Sequence, residues 1–524
     1  MHNKVYRSLW FAQIGSNVGT WMQTVGAQWL LVERAHAATL VALVQTASLL
    51  PVMALSLPAG VLADVLDRRR LLLASQFSMA LVAGALAVLT GFGLTTPATL
   101  LALTFLLGCG QAITGPAWQA IQPELVDREQ IPAAAALGSL TVNLARAVGP
   151  AIAGLIIAET GPAAVFAINA VSFVGVLAAL AAWRRPVDDS SRAESAVSAL
   201  QAGTRYVRNA PAVTRILLRA ALFVVPASAL WALLPVVARD HLGLGAGGYG
   251  GLLAALGVGA VLGALCMSRL RRRLSSNGML AWSAVAFGLG TLVLALPLGS
   301  AAVPVVSVFM VLCGLAWTAS LSSLNAGLQL TLPPWVRARG LGAYLLVFMG
   351  GHAIGALGWG LLAGAVGQQW TLTVAALLLG LAALSVLRWP LHDAVEGVGQ
   401  VGEAHWPEPV LMFEPDPQDG PVLVVKRYRV APENQEAFLA AMQAVGASRR
   451  RTGATRWEVY REGAQADGFA EVFAIRSWDE HLRQHSDRLT GADRVFEERA
   501  LALTLGETPV EHLLPPSQDH AGTA

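Results

Sequence analysis

The chain has 524 residues, of which 55% are hydrophobic and only 13% are charged, about half of the charged fraction that soluble proteins usually carry. This composition excludes an ordinary soluble fold for most of the chain. The charges are unevenly divided: residues 1–388 hold 23 Lys and Arg against 11 Asp and Glu, whereas residues 389–524 hold 13 against 22. The sequence therefore predicts an apolar, basic domain followed by an acidic, water-soluble one.

Twelve apolar runs are each long enough for a membrane-spanning helix, which needs about 20 residues. They lie at 8–33, 39–63, 71–93, 97–121, 132–158, 162–183, 213–238, 247–268, 278–298, 303–325, 340–365 and 369–388. Successive loops between these runs would lie on opposite sides of the membrane. One set of alternate loops and run ends holds 19 Lys and Arg, and the other set holds only Arg34 and Arg239. Because positive loops stay in the cytoplasm, we expect a multi-pass protein of the inner (cytoplasmic) membrane with both termini and the acidic tail inside.

Other simple classes are disfavoured. No short apolar core with a small-residue cleavage site opens the chain, so no removable signal peptide is expected. No GxxxxGK[ST] loop occurs, which disfavours an ATP-driven pump. Cys109, Cys266 and Cys313 lie inside apolar runs and are expected to be free. We expect no enzymatic activity, no cofactor and no nucleic-acid partner; the expected partners are the lipid bilayer and a small-molecule substrate.

Polar side chains recur in the first and fourth runs, where contact with lipid would be costly. The first run carries Gln13, Asn17, Thr20, Thr24 and Gln28, which fall within about 80° of one helix face. The fourth carries Gln111, Trp118 and Gln122. We expect these residues to line a central substrate cavity. The alternative is hydrogen bonding between helices without ligand contact.

Two ionisable side chains lie well inside spans, Arg146 in the fifth run and His352 in the eleventh. An intramembrane charge is a candidate functional group, so Arg146 and its neighbour Asn143 join the predicted cavity; a structural role for Arg146 and simple packing for His352 are the alternatives. No Asp or Glu lies near the middle of a run. The candidates for proton coupling are therefore only Glu33, Asp64 and His352.

The loop after the second run reads "GVLADVLDRRR". It resembles the signature of the major facilitator superfamily, Gly-x-x-x-Asp-[Arg/Lys]-x-Gly-x-[Arg/Lys]-[Arg/Lys], and a degenerate copy, "GALCMSRLRRR", follows at 263–273. The matching residues are Gly60, Asp64, Arg69 and Arg70, whereas Val65 and Asp67 depart. The resemblance implies two six-helix halves and a cytoplasmic latch between Asp64 and the start of the eleventh helix. Arg337, Arg339 and Glu124 are its further predicted members.

The fifth run contains "NLARAVGPAIAG". Gly149, Pro150 and Gly154 resemble the exporter signature of the same superfamily, although Ala145 and Ala153 replace two of its glycines. Small residues permit close helix packing in membranes. The resemblance implies an exporter.

The acidic tail begins with a segment rich in Pro, Gly and acids, which predicts a linker. After it, strand and helix patterns alternate in the order βαββαβ, which is ferredoxin-like and resembles the small dimeric α/β domains of the antibiotic-biosynthesis monooxygenase type. His481 and His485 have the spacing of two metal ligands on one helix face, but no third ligand is evident and no metal site is expected. The stretch "SWDEHLRQH" resembles the tail of the transmembrane secretion effector family.

The predicted fold is therefore an all-α membrane protein with a C-terminal α+β domain. Its predicted parts are an N-terminal half (1–183), a cytoplasmic linker (184–212), a C-terminal half (213–388), a second linker (389–420), a soluble domain (421–514) and a disordered end (515–524). Dimerisation of the soluble domain is a further prediction. The resemblance implies an alternating-access, proton-coupled secondary exporter of small amphipathic molecules such as siderophores or drugs. An importer of the same fold, a ligand sensor, and an enzyme whose tail is oxygenase-like are the alternatives.

Overall fold

The computed structural model describes residues 4–126, 128–183, 204–391, 406, 411–413 and 415–515, apart from some side chains within those ranges, among them Asp64, Gln122 and Glu124. The chain divides into two compact units. Unit 1 comprises Met1–Ala193, Leu217–Leu324 and Tyr344–Leu391, and unit 2 comprises Glu194–Ile216, Asn325–Ala343 and His392–Ala524. The predicted linkers at 184–212 and 389–420 and the end at 515–524 lie largely outside the described residues.

Twelve long helices fill most of the described chain, and each overlaps one predicted span. They are α1 (Lys4–Leu31), α2 (Ala37–Val65), α3 (Arg68–Gly91), α4 (Pro97–Leu125), α5 (Ile131–Thr160), α6 (Pro162–Ala182), α7 (Pro211–Asp240), α8 (Ala246–Arg273), α9 (Ser276–Ala295), α10 (Val303–Thr331), α11 (Pro334–Val366) and α12 (Gln368–Arg388). By length and composition, eleven of these described helices can cross a membrane. The helix outside this set is α1, because its amide and hydroxyl side chains reduce its hydropathy.

Local signals mark several helix starts. Asp67, which departs from the superfamily signature, accepts a hydrogen bond from the backbone nitrogen of Arg70 and so caps α3. Thr96 and Thr99 form a reciprocal capping box at the start of α4. Ser275 caps α9 in the same way as Asp67 caps α3.

Glycines bring three pairs of helices in unit 1 into close contact. A Cβ added at Gly149 of α5 would lie 2.8 Å from Trp21 Cβ in α1, and one added at Gly154 would lie 2.7 Å from the carbonyl oxygen of Ala246 in α8. Gly360 of α11 would likewise approach Ala42 Cβ of α2 to 2.3 Å. Small residues therefore join the first six helices to the last six at α5–α8 and α2–α11.

The tail forms a small four-stranded antiparallel sheet in the order β2-β3-β1-β4. Its elements are β1 (Val422–Arg429), α13 (Gln435–Thr452), β2 (Arg456–Arg461), β3 (Gly468–Ile475), α14 (Trp478–Arg483), α15 (Gly491–Leu501) and β4 (Val510–Leu513). The sequence predicts a single helix across α14 and α15. Instead, a π-helical turn at Gln484–Arg488 ends the first, and a capping box between Thr490 and Asp493 starts the second.

A charged network lies in the core of this tail. Arg449, 1% exposed, pairs with Glu471 at 3.0 Å between Nε and Oε1 and also with Glu497. The hydroxyl of Tyr428 and the indole nitrogen of Trp457 donate to Glu471 at 2.7 and 2.9 Å. Burial and the charge of Glu471 raise the pKa of the Tyr428 hydroxyl well above its usual value. All three ionised side chains thus have several partners, as buried charges require.

Candidate functional site

Aromatic rings from three helices surround His352 in unit 1. The ring centroids of Trp317 of α10, Trp231 of α7 and Phe348 of α11 lie 6.0, 6.2 and 6.4 Å from that of His352. Trp231 and Trp317 also meet edge to face at 5.6 Å. His352, in α11, is 7% exposed.

The N-terminal helices add a cation to the same group. The guanidinium carbon of Arg146 in α5 lies 5.6 Å from the ring centroid of Trp21 in α1, and that ring lies 6.1 Å from Trp231. An arginine at this distance from an indole is attracted by the negative face of the ring. The central cluster, as we call Trp21, Arg146, Trp231, Trp317, Phe348 and His352, therefore contains residues from both groups of six helices.

Polar atoms of the central cluster are left without partners. Arg146 Nε, Trp231 Nε1 and His352 Nε2 are buried, and none has a hydrogen-bond partner among the described residues. Buried polar atoms are nearly always bonded, so each exception needs an explanation. An indole N–H, an imidazole and a guanidinium between aromatic faces are suited to hold a polar or anionic aromatic molecule.

The predicted polar stripe of α1 is only partly buried. Gln13, Asn17, Thr20 and Thr24 are all half-buried. Asn17 donates to the carbonyl of Gln13 at 2.7 Å, and Thr24 donates to that of Thr20 at 3.1 Å, so these hydrogen bonds stay within the helix. Gln28 accepts from the hydroxyl of Tyr249 in α8 at 2.5 Å. Gln28 thus joins two helices, and a cavity-lining role for the other four stays a prediction.

The candidates on α4 differ from one another. Gln111 is half-buried. Trp118 packs against the apolar group around Tyr6, Leu9 and Ile121, and the side chain of Gln122 lies outside the described residues. Asn143, on α5, is half-buried. None of the three described candidates belongs to the central cluster.

Arg69 of the signature loop contacts the end of α6. Its Nε and NH2 donate to the carbonyl oxygens of Leu180 and Ala181, both at 3.0 Å, and so bind the last turn of that helix. Arg70 is exposed and Gly60 has open space around it. Because the side chains of Asp64 and Glu124 are not described, the latch stays a prediction. Arg337 is exposed and Arg339 half-buried.

Arg219 was missed by the sequence reasoning, which singled out Arg146 as the arginine well inside a span. Arg219 lies in α7 and is 6% exposed. It donates to the hydroxyl and the carbonyl oxygen of Ser385 at 2.6 and 2.8 Å and to the carbonyl of Trp389. It therefore binds the end of α12 as Arg69 binds the end of α6. Among the proton-coupling candidates, Glu33 is exposed beyond the end of α1.

The tail of unit 2 contacts the approaches to two helices. Glu480 of α14 pairs with Arg205, which lies in a helical segment before α7. The guanidinium carbon of Arg488 lies 5.1 Å from the ring of Trp335 at the start of α11, and Tyr206 meets that ring at 5.5 Å. In the sequence, nothing distinguishes these residues from ordinary surface residues.

Comparisons with known proteins agree with this arrangement. In structure, the chain is similar to a POT family transporter (TM-score 0.60, 12% identity, 73% of this chain and 95% of that one). It is also similar to a bacterial homologue of the human lysosomal transporter Spinster in an inward-facing, occupied conformation (TM-score 0.59, 14% identity, 73% and 96%). The chain therefore has the fold that these two transporters share.

The sequence also identifies the family within the proteins that share this fold. The family model described as transmembrane secretion effector matches residues 1–517, and the chain belongs to that family.

Three relatives differ in how much of this chain they match. The multidrug efflux pump Tap of Mycobacterium tuberculosis is 28% identical over 72% of this chain and 92% of its own length. The enterobactin exporter EntS of Salmonella choleraesuis is 30% identical over 61% and 75%. The staphyloferrin A transporter of Staphylococcus aureus is 33% identical over 31% of this chain and only 42% of its own length.

Proposed function

We propose that the chain is a secondary active exporter of small amphipathic organic molecules, siderophore-like or drug-like, and not an enzyme. The observation that carries this proposal is the central cluster, in which Arg146, Trp231 and His352 present polar atoms between aromatic faces that no described residue hydrogen-bonds. Relatives named as efflux pump and as siderophore exporter or transporter support the substrate class.

Transport would proceed by alternating access. The last six helices meet the first six through the glycine contacts of α5 with α8 and α2 with α11. In this proposal the two groups of six helices rock as rigid bodies along these contacts, about a fixed midplane site. In this proposal all twelve long helices, α1 included, cross an inner membrane, and both termini and the ferredoxin-like tail are cytoplasmic.

Proton coupling completes the proposal. His352 lies beside Arg146 in the central cluster, and a proton taken up by its imidazole would compete with substrate for the same pocket. Binding of either ligand would then favour release of the other, which is the requirement for an antiporter. Glu33 and Asp64 remain candidates at the ends of their helices.

Transport into membrane vesicles tests the proposal. Everted vesicles should accumulate a catecholate siderophore or a lipophilic dye when a proton gradient is applied, and a protonophore should abolish this. Trp231→Ala and His352→Ala should each reduce the initial rate at least about tenfold, whereas Trp370→Ala, at a position that is 68% exposed on α12, should not. Uptake only by right-side-out vesicles would instead identify an importer, and equal rates for all variants would remove the central cluster as the binding site.

A further inference from the structure

Three histidines meet in the tail. His481 lies on α14, His485 on the π-helical turn that follows, and His512 on the edge strand β4. One ligand nitrogen from each can be chosen so that all three lie within 4.8 Å of one another. The ring centroid of His481 lies 4.6 Å from that of His485 and 4.9 Å from that of His512. The fold therefore supplies the third imidazole that spacing along the helix does not reveal.

His481 is at the centre of this triad and has no other evident use. It is fully buried, and neither of its ring nitrogens has a hydrogen-bond partner of normal geometry among the described residues. Leaving a buried polar group unpaired costs about 1–3 kcal/mol. Neutral imidazole is the form of histidine that binds metals.

The surroundings of the triad resemble those of metal centres. The ring of Trp478 lies 5.3 Å from His481 and 6.1 Å from His512, and the ring of Trp406 lies 4.7 Å from His485. An apolar shell of this kind limits the access of water to a bound ion. No carboxylate belongs to the triad, which argues against Ca²⁺ and Mg²⁺ because these ions prefer oxygen ligands.

We propose that His481, His485 and His512 bind one divalent first-row transition ion, with Zn²⁺ as the best match. Three imidazoles with a fourth position left open are a zinc ligand set. Ligand nitrogens 2.0–2.1 Å from a tetrahedral Zn²⁺ lie about 3.4 Å apart, so the triad has to contract by at most about 1.4 Å. Rotation of the half-exposed His485 and His512 rings towards His481 would supply this movement.

The bound ion would join α14 to β4 across the domain. Its ligand His481 follows Glu480 in the chain, and its ligand His485 precedes Arg488 by three residues. Glu480 contacts Arg205 and Arg488 contacts Trp335, and these contacts attach the tail to the segments that precede α7 and begin α11. Metal occupancy would therefore stabilise the part of the tail that makes these attachments.

Metal titration of the full-length protein tests the site. The protein is purified in detergent with a tag that contains no histidine, stripped with a chelator and titrated with Zn²⁺ by calorimetry and with Co²⁺ by visible absorption. We expect one ion per chain, the intense visible bands of tetrahedral Co²⁺, and a rise in the melting temperature of the tail. His512→Gln should weaken Zn²⁺ binding at least about 100-fold, since even the loss of an outer-shell partner costs 10–100-fold.

Two controls keep the result decisive. His241→Ala, in the loop between α7 and α8, should bind the ion as the original chain does. If His512→Gln does not fold without metal, as judged by its melting temperature, His485→Gln at a half-exposed position replaces it. Binding of fewer than one ion per chain, or an affinity unchanged by both glutamine variants, would overturn the proposal.

Discussion

Replacing Arg449 with methionine should destabilise the tail more than any exposed charge replacement. The arginine is 1% exposed, and it pairs with Glu471, which is 0% exposed, and with Glu497, which is 7% exposed. Its removal leaves two carboxylates buried without their cation. Breaking a buried ion pair from one side costs about 3–5 kcal/mol, whereas a domain of this size has a total stability of roughly 5–15 kcal/mol.

The effect should be visible as a shift of the melting temperature. For a domain of about 100 residues, 1 kcal/mol corresponds to roughly 4–8 °C, so we expect the midpoint to fall by about 12–40 °C. The sample is a tail segment that begins before Trp406, because the indole nitrogen of that residue donates to Glu497 at 2.8 Å. Circular dichroism during heating measures the midpoint.

Two comparisons separate charge from packing. Arg494→Met removes an exposed partner of Glu498, and should change the midpoint little, because exposed ion pairs contribute little. Further replacement of Glu471 and Glu497 by glutamine should recover much of the loss in Arg449→Met, because it removes the unpaired charges. If Arg449→Met melts within a few degrees of the unmodified segment, or if the added glutamines recover nothing, the electrostatic account of this network is wrong.

Three further outcomes follow from the same contacts. Gly154→Val should lower the melting temperature of the full chain, by an overpacking cost of about 1–3 kcal/mol, because its Cβ would meet backbone of α8. Gly175→Val should not, since a Cβ there meets nothing within 4 Å. Arg146→Ala should reduce export of an anionic catecholate more than that of a cationic dye, and Arg146→Lys should retain part of it; equal losses with a lowered melting temperature would show that Arg146 only braces α5. The raised pKa of Tyr428 means that the folded tail keeps a proton that the unfolded chain loses near pH 10. Tail stability should therefore fall as pH rises above about 10, and Tyr428→Phe should flatten this dependence in alkaline urea titrations.

The helices could be predicted because lipid offers the backbone no hydrogen-bond partners. A span must close its own hydrogen bonds, so each apolar run becomes a helix, and the long helices of the described chain follow the runs closely. Close packing at Gly149 and Gly154 could likewise be predicted, since small residues in membrane helices indicate close contact between helices. The structure adds which helices they meet, namely α1 and α8.

Partners that are backbone atoms or distant residues could not be predicted. The ligands of Arg69 and Arg219 include carbonyl oxygens at the ends of α6 and α12, and sequence letters do not mark these atoms. His512 follows His485 by 27 positions, and only the pairing of β4 with β1 brings it back to α14. The break between α14 and α15 was readable, however: Thr490 with Asp493 three residues later is the pattern of a helix start.

The attachment of the tail has a practical meaning. Glu480 and Arg488 contact Arg205 and Trp335, so the tail is anchored at two places that lead directly into α7 and α11. Because all four residues belong to unit 2, a chain cut before the tail would leave Arg205 and Trp335 without these partners.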